Sequence, residues 1–232
     1  NGSLLWEPWE VLKNDGTPYR VFTPYYRRGC LNAVGPRIPT KAPQKIQYYE
    51  FQKIKSLDIE SLNLLPTHNW KNKIIKKWNV GEKAAEQRLE EFFSFELNGY
   101  KEGRNFPNKK NVSRLSPHLH WGEISPNTIW HKISNLQHLE INNFEDTDTF
   151  LSEMGWREFS YYLLFYFPDL PRKNLQKKFD NFSWDNNSLF LKAWKSGLTG
   201  YPIIDAGMRE LWSTGYMHNR LRMIVGSFLV KN

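Results

Sequence analysis

The pattern of apolar and polar positions changes character near residue 63. Before that point apolar residues come singly or in pairs among Gly, Pro and basic residues, with no sustained period. In this part 4–9 reads as a short strand, 13–18 as a turn through Asp15-Gly16, and the Pro-rich run 36–43 as a connector. From about Asn63 the period becomes helical. Asn79 followed by Glu82 predicts a capping box, and Ala85, Leu89, Phe92 and Phe93 recur at helical spacing toward a stop near Gly99. Ser116-Pro117 and Ser125-Pro126 each place a capping residue before a Pro at the first helical position, predicting two short helices, the first ended by Gly122.

Acids at 146–148 mark the positive end of a helix running to Phe167 and broken by Pro168. Another helix opens at Pro202, runs through Trp212 and closes near Gly215; a last one begins near Met217. The fold class is therefore mainly α. There is no internal repeat and no Gly-rich phosphate loop.

Composition narrows the function. Apolar residues make up 40% and charged residues 24%, enough to close a core. No apolar run approaches the roughly 18 residues of a membrane span, so no membrane partner is expected and the cytoplasm is the expected location. Cys30 is the single cysteine, which excludes an internal disulfide and Cys-x-x-Cys chemistry. Asn1 is not followed by a secretory signal, and the apolar run 223–230 ends at Lys231-Asn232 without a helix stop; the expectation is a fragment cut at both ends.

The net charge of +8 is unevenly spread. Residues 13–55 carry nine basic and two acidic side chains, 71–110 ten and six, and 172–231 ten and four, whereas 114–169 carry three and eight. Such positive stretches suit phosphate neutralisation, and an ordinary basic surface is the competing account. Ten Trp, 11 Tyr and 15 Phe offer stacking surface for flat rings, although most must be core.

Three clusters could carry chemistry. Glu153, Trp156, Arg157 and Ser160 share one face of the helix ending at Phe167, since they are related by steps of three and four. A surface ion pair between Glu153 and Arg157 is the simpler reading; the apolar remainder of that helix, with Leu151, Met154, Tyr162 and Phe165, argues for a cavity. Asn219 and Met223 lie four apart in the last helix beside Arg220 and Arg222, and His218 reads as a structural hydrogen-bonding residue with no metal implied. Val112, Ser113, Arg114, Leu115 and Ser116 gather N–H groups and hydroxyls before a helix, which reads equally as an anion site or as two caps and a surface Arg. Tyr100 sits in a loop, and no hydrolytic constellation is present.

Together, SRLSPHLHWGEISP at 113–126, WREFSYYLL at 156–164, GLTGYPIIDAGMREL at 197–211 and TGYMHNRLRMIVGSFLVK at 214–231 resemble the DNA photolyase and cryptochrome family, most closely its class I cyclobutane pyrimidine dimer photolyases. YRVFTPYYRR at 19–28 resembles the exit from the family's α/β antenna domain. The resemblance implies that 1–28 is the tail of the antenna domain, 29–62 a linker, and 63–232 an incomplete helical FAD-binding domain. It further implies FAD held by Tyr100, Val112, Ser113, Arg114, Leu115, Ser116, Phe150, Glu153, Arg157, Ser160, Asn219 and Arg222. Damaged DNA would be met by Glu153, Trp156, Arg157, Asn219, Arg220 and Met223. Catalytic roles fall on Glu153, Trp156, Asn219 and Met223, and Trp184 corresponds to the outer member of an electron-transferring Trp chain.

The implied reaction is light-driven dimer repair by electron transfer from reduced FAD, in a monomer whose parent also carries a folate or deazaflavin antenna chromophore. Glu153 and the Asn219/Met223 pair lean toward dimer repair, while Tyr216 departs from the family's usual Trp. Relatives continue past Asn232 with two further Trps and acidic flavin contacts, so this piece alone is expected to bind FAD weakly or not at all. A cryptochrome-type photoreceptor without repair and a flavin-free nucleic-acid-binding helical module are the competing functions.

Overall fold

The computed structural model describes residues 2–47, 56–64, 70–138 and 143–231. The linker at 48–55, the opening of the helical region at 65–69, the stretch at 139–142 and the two terminal residues, on which part of the readings above fall, lie outside the described residues. Among the described residues the chain is mainly helical and contains no strand. Its helices are α1 (Trp70–Ile75), α2 (Glu82–Glu91), α3 (Tyr100–Gly103), α4 (Ser116–Trp121), α5 (Pro126–His138), α6 (Phe144–Tyr166), α7 (Ser188–Ser196), α8 (Pro202–Thr214) and α9 (Asn219–Lys231). None of them is long and apolar enough to cross a membrane.

Several local expectations are corrected. The strand at 4–9 does not form: Pro8 opens a 3₁₀ turn, Pro8–Glu10, closed by Glu10 N–H donating to the Glu7 carbonyl at 2.9 Å and Glu7 N–H donating to Glu10 Oε2 at 2.8 Å. The irregular first part also hides a π-helical turn, Pro24–Gly29, with Tyr25 and Tyr26 fully buried. The Asn79 capping box is not used, because α2 begins at Glu82 after Gly81, whose φ of 99° only glycine adopts cheaply. The helix at 116 starts on Ser116 itself with Leu115 in the cap position. Tyr100, expected in a loop, opens α3 and is buried.

Other signals hold. Gly122 ends α4 at φ 72°, and Ser125 Oγ accepts the Asn127 N–H at 3.2 Å ahead of α5. The acids at 146–148 do lie in the first turns of α6, whose cap is Asn143, with Oδ1 accepting from Glu145 N–H at 2.9 Å, and α6 ends at Tyr166, before Pro168.

The described chain divides into two compact units, Asn1–Pro39 with Val80–Leu189, and Thr40–Asn79 with Phe190–Asn232. The larger unit is organised on α6, which packs against α3, α5 and the two N-terminal turns. Its core joins Trp6, Tyr25 and Tyr26 to Leu89, Phe92, Ile129, Phe150 and Tyr162. The smaller unit packs α8 against α9 and α1 around Ile204, Met208, Met217, Leu221 and Val225. There Asp205 holds the turn before α8 by accepting from Thr199 N–H (2.8 Å), Thr199 Oγ1 (2.7 Å) and Gly200 N–H (3.0 Å). Trp78 Nε1 donates to the Thr214 carbonyl at 2.8 Å and Trp194 Nε1 to the Val225 carbonyl at 3.1 Å.

Candidate functional site

In the larger unit, α6 carries Phe150, Glu153, Trp156, Arg157 and Ser160, but these do not converge as the helical wheel suggests. Glu153 does not pair with Arg157. Its Oε1 accepts from Arg104 Nη1 at 2.6 Å, while Arg157 Nη1 donates to its neighbour Glu158 at 2.7 Å. Glu153 Oε2 is left to accept a further hydrogen bond. Ser160 spends its hydroxyl on the helix itself: its Oγ donates to the Trp156 carbonyl at 3.0 Å, as helical serines commonly do.

Arg157 is held from two sides, by Glu158 and by the Tyr161 ring 5.0 Å below its guanidinium. Its Nη2 is buried without a hydrogen-bond partner. A charged donor buried and unsatisfied is costly, so it marks a place where an acceptor from outside the chain fits. Glu158 is itself almost fully buried, with Oε2 accepting the Leu5 N–H at 2.7 Å. Burial pushes its carboxyl up to about 7, against the downward pull of Leu5, Arg157 and Trp6.

Tyr100 and Phe150 form an aromatic corner with Phe92: Tyr100 lies edge-on to Phe150 at 5.3 Å and to Phe92 at 5.7 Å, and Phe92 is 4.8 Å from Phe150. The Arg104 guanidinium lies 5.5 Å from the Tyr100 ring, so one arginine links Tyr100 to Glu153. The placement of Tyr100 comes from Asp146, whose two carboxylate oxygens accept from Gly99 N–H and Lys101 N–H, both at 2.8 Å. Sequence reading gave Asp146 only a place at the α6 N-terminus; it also satisfies the orphan amides that open α3.

The loop 112–116 is shaped by Arg88. Its Nε donates to the Ser113 carbonyl at 2.9 Å and its Nη2 to the Val112 carbonyl at 3.2 Å, while Glu91 and Glu96 hold the same guanidinium. Arg114 then takes a left-handed φ of 52°, an uncommon conformation for a residue with a Cβ. The Val112 N–H is spent on the Lys110 carbonyl at 2.7 Å and the Leu115 N–H on Ser113 Oγ at 3.4 Å, so the loop brings together the Ser113 and Ser116 hydroxyls but fewer N–H groups than its sequence suggests. The following helix has six residues, so little of the expected helix dipole stands behind them. The only sequence signal for Arg88 was its i, i+3 spacing to Glu91, indistinguishable from a surface pair.

Trp156 is 46% exposed and stacks on Phe22 at 3.8 Å and 13°. Trp184 is 57% exposed, tilted against Phe182 at 4.8 Å.

In the smaller unit, Asn219 opens α9 and is exposed, as are Arg222 and Met223. Arg220 Nη1 approaches Met223 Sδ at 3.5 Å, and Arg222 Nη2 donates to the Met217 carbonyl at 3.4 Å. His218 is buried and its Nδ1 accepts the Arg220 N–H at 3.2 Å, the structural role expected of it. Met223 borders a cavity of about 420 Å³, lined also by Tyr201, Ile203, Ile204, Ile224, Ser227 and Phe228.

Residues 150–232 match the family model described as the FAD binding domain of DNA photolyase. The whole chain is 44% identical to the deoxyribodipyrimidine photo-lyase of Agrobacterium fabrum, over 48% of that protein. It is also 36% identical to cryptochrome-2 of Arabidopsis thaliana, over 39% of that protein. Among solved structures, that of a bacterial class III photolyase from Agrobacterium tumefaciens superposes with a TM-score of 0.92 at 44% identity, covering 99% of this chain and 47% of the other. That structure is described as class III, which differs from the class I resemblance expected from the motifs. The chain spans about half the length of the curated photolyases it matches.

Proposed function

Because the chain belongs to the photolyase and cryptochrome family, as part of its helical FAD-binding domain, we propose that the whole protein binds FAD and repairs cyclobutane pyrimidine dimers in DNA by light-driven electron transfer, a carbon–carbon lyase reaction. When bound, reduced FAD supplies the light-absorbing one-electron donor for opening the cyclobutane ring. The buried, unsatisfied Nη2 of Arg157 is the observation that carries the reading, because it sits on the face where the motif carry-over puts the cofactor pocket.

The residues present fit FAD by their chemistry. Within the larger unit Arg157 and the Ser113 and Ser116 hydroxyls supply donors and Tyr100 and Phe150 an aromatic wall; the family motif also assigns Asn219 and Arg222 to FAD. Glu153 Oε2 accepts from a pyrimidine ring N–H, with Arg104 fixing the carboxylate through Oε1. Trp156 stacks its open face on the extruded bases, and the family motif also assigns Arg220 and Met223 to contact with damaged DNA. Taking the dimer out of the duplex costs a few kcal/mol, which stacking and phosphate contacts offset. Trp184 is the outer relay for flavin reduction. Residues 1–28 end the antenna domain, 29–62 link and 63–232 begin the helical domain; the protein acts as a cytoplasmic monomer with a folate- or deazaflavin-type antenna.

The test is a visible absorption spectrum of the whole protein, then illumination with dimer-bearing DNA. Flavin bands with light-dependent dimer loss support the reading. Flavin without repair favours a photoreceptor, the second reading, which the identity to a plant cryptochrome keeps in view. Absence of flavin favours the nucleic-acid-binding module.

A further inference from the structure

Trp156 rests on an aromatic support that comes from the far end of the sequence. Phe22 stacks on the indole with ring centroids 3.8 Å apart and planes 13° from parallel. Tyr26 runs parallel to Phe22 at 5.6 Å and 8°, and Phe159 meets both Phe22 (5.9 Å) and Trp156 (6.0 Å) edge-on. Tyr26 is 1% exposed and cannot shift easily. Its ring would lie 2.5 Å from a Cβ at position 155, so only Gly155 lets α6 come this close, one residue before Trp156. The π-helical turn bearing Tyr26 is clamped to the same helix, because Arg27 reaches Asp148 with two hydrogen bonds of 2.8 and 2.6 Å. Phe22 is half-buried, and Trp156 remains 46% exposed.

We propose that Phe22 is a positioning residue for lesion recognition: it fixes the indole of Trp156 so that the open face forms a preset platform for a flat pyrimidine ring. Phe22 does not touch the lesion. An unsupported indole on an exposed helix face samples several rotamers, and ordering it on binding subtracts from affinity. Stacked on Phe22, it is ordered beforehand. This inference rests on the dimer-repair reading and refines its substrate recognition.

The experiment uses the whole protein, with an oligonucleotide carrying a thymine dimer and its undamaged counterpart as probes. Phe22→Leu keeps apolar volume but removes the plane. It is expected to raise Kd and KM for dimer-bearing DNA by about 3- to 10-fold, with flavin absorbance, kcat at saturating substrate and affinity for undamaged DNA unchanged. Phe22→Tyr should restore wild-type binding. Phe22→Leu added to Trp156→Ala should weaken binding no further than Trp156→Ala alone, since the platform is already gone. Should Phe22→Leu lose its flavin through misfolding, Phe22→Met, flexible and of similar volume, is read in its place with the same expectation.

Unchanged discrimination in the leucine or methionine variant, equal weakening toward damaged and undamaged DNA, or additivity with Trp156→Ala overturns the inference while leaving dimer repair standing. A wild-type protein with no preference for dimer-bearing DNA overturns both.

Discussion

The two units hold their candidate residues by different means. In the larger one nearly every such side chain has a fixed polar or aromatic neighbour: Glu153 has Arg104, Arg157 has Glu158 and Tyr161, Trp156 has Phe22, and the 112–116 loop hangs on Arg88. Behind them stands a core joining the N-terminal turns to α2, α5 and α6. Among the described residues of the smaller unit five buried apolar side chains form the core, with Trp194 and Phe228 packed against them, and Tyr201, Ile203, Trp212, Met223 and Ile224 remain exposed. There Arg220 Nη1 meets Met223 Sδ at 3.5 Å and Arg222 Nη2 makes a long hydrogen bond of 3.4 Å, while Asn219 and Met223 stand on the exposed side of α9. Preorganisation, the requirement for a recognition surface that loses little entropy on binding, is therefore built into α6.

The largest way to break that contrast is Glu158→Ala. It strands the Arg157 guanidinium and the Leu5 N–H in a buried place and opens a cavity, so folding stability should fall by about 3–5 kcal/mol. Chemical denaturation checks this, and a change below about 1 kcal/mol would mean that the Leu5–Glu158–Arg157 link does not hold the unit together. The same carboxyl makes stability pH-dependent. Below about pH 4.5 it is protonated folded or unfolded; between about 4.5 and 7 the folded protein keeps a proton that the unfolded chain releases. The unfolded state then binds fewer protons, so stability declines as pH rises through this window, by about 3 kcal/mol at most. Glu158→Gln should remove this component, and denaturation curves from pH 5 to 8 measure the difference.

Gly155→Ala probes the same side at smaller amplitude. The new methyl meets the Tyr26 ring, so α6 or the π-helical turn must move, at about 1–3 kcal/mol. Trp156 lies next in sequence, and its fluorescence should change along with the denaturation midpoint.

What could be read from sequence follows the range over which each determinant acts. Helix ends at Gly122, Pro202 and Gly215 were legible, and the start of α6 was marked by the acids at 146–148 without its Asn143 cap, because capping and breaking depend on a few neighbouring residues. The Leu4–Trp9 segment was misread because its amides are satisfied within a tight turn and by a carboxylate 153 positions away, which no local period reveals. The α6 candidates were named from the motif, but their pairing was not: spacing alone offered Arg157 to Glu153, whereas Arg104 arrives from another helix end. Phe22 and Arg88 escaped notice, and Asp146 was read only as a helix-end acid, for the same reason. Each looks ordinary in its own stretch and acquires its role only where distant segments meet.

The smallest expected effect gives the sharpest contrast, since it repeats the α6 glycine substitution on α9. Gly226 lies inside α9, is exposed, and has nothing within 4 Å of the position a Cβ would take. Gly226→Ala therefore meets no clash, and it reduces the backbone freedom that the unfolded chain loses on folding. The expected result is a gain of about 0.5–1 kcal/mol, opposite in sign to Gly155→Ala. The two glycines have the same chemistry and both sit in helix interiors, so their signs can differ only through what surrounds them. A loss of stability from Gly226→Ala, read as a lowered denaturation midpoint, would mean that this face of α9 is closely covered in solution and that the smaller unit is packed as tightly there as the larger one is around Tyr26.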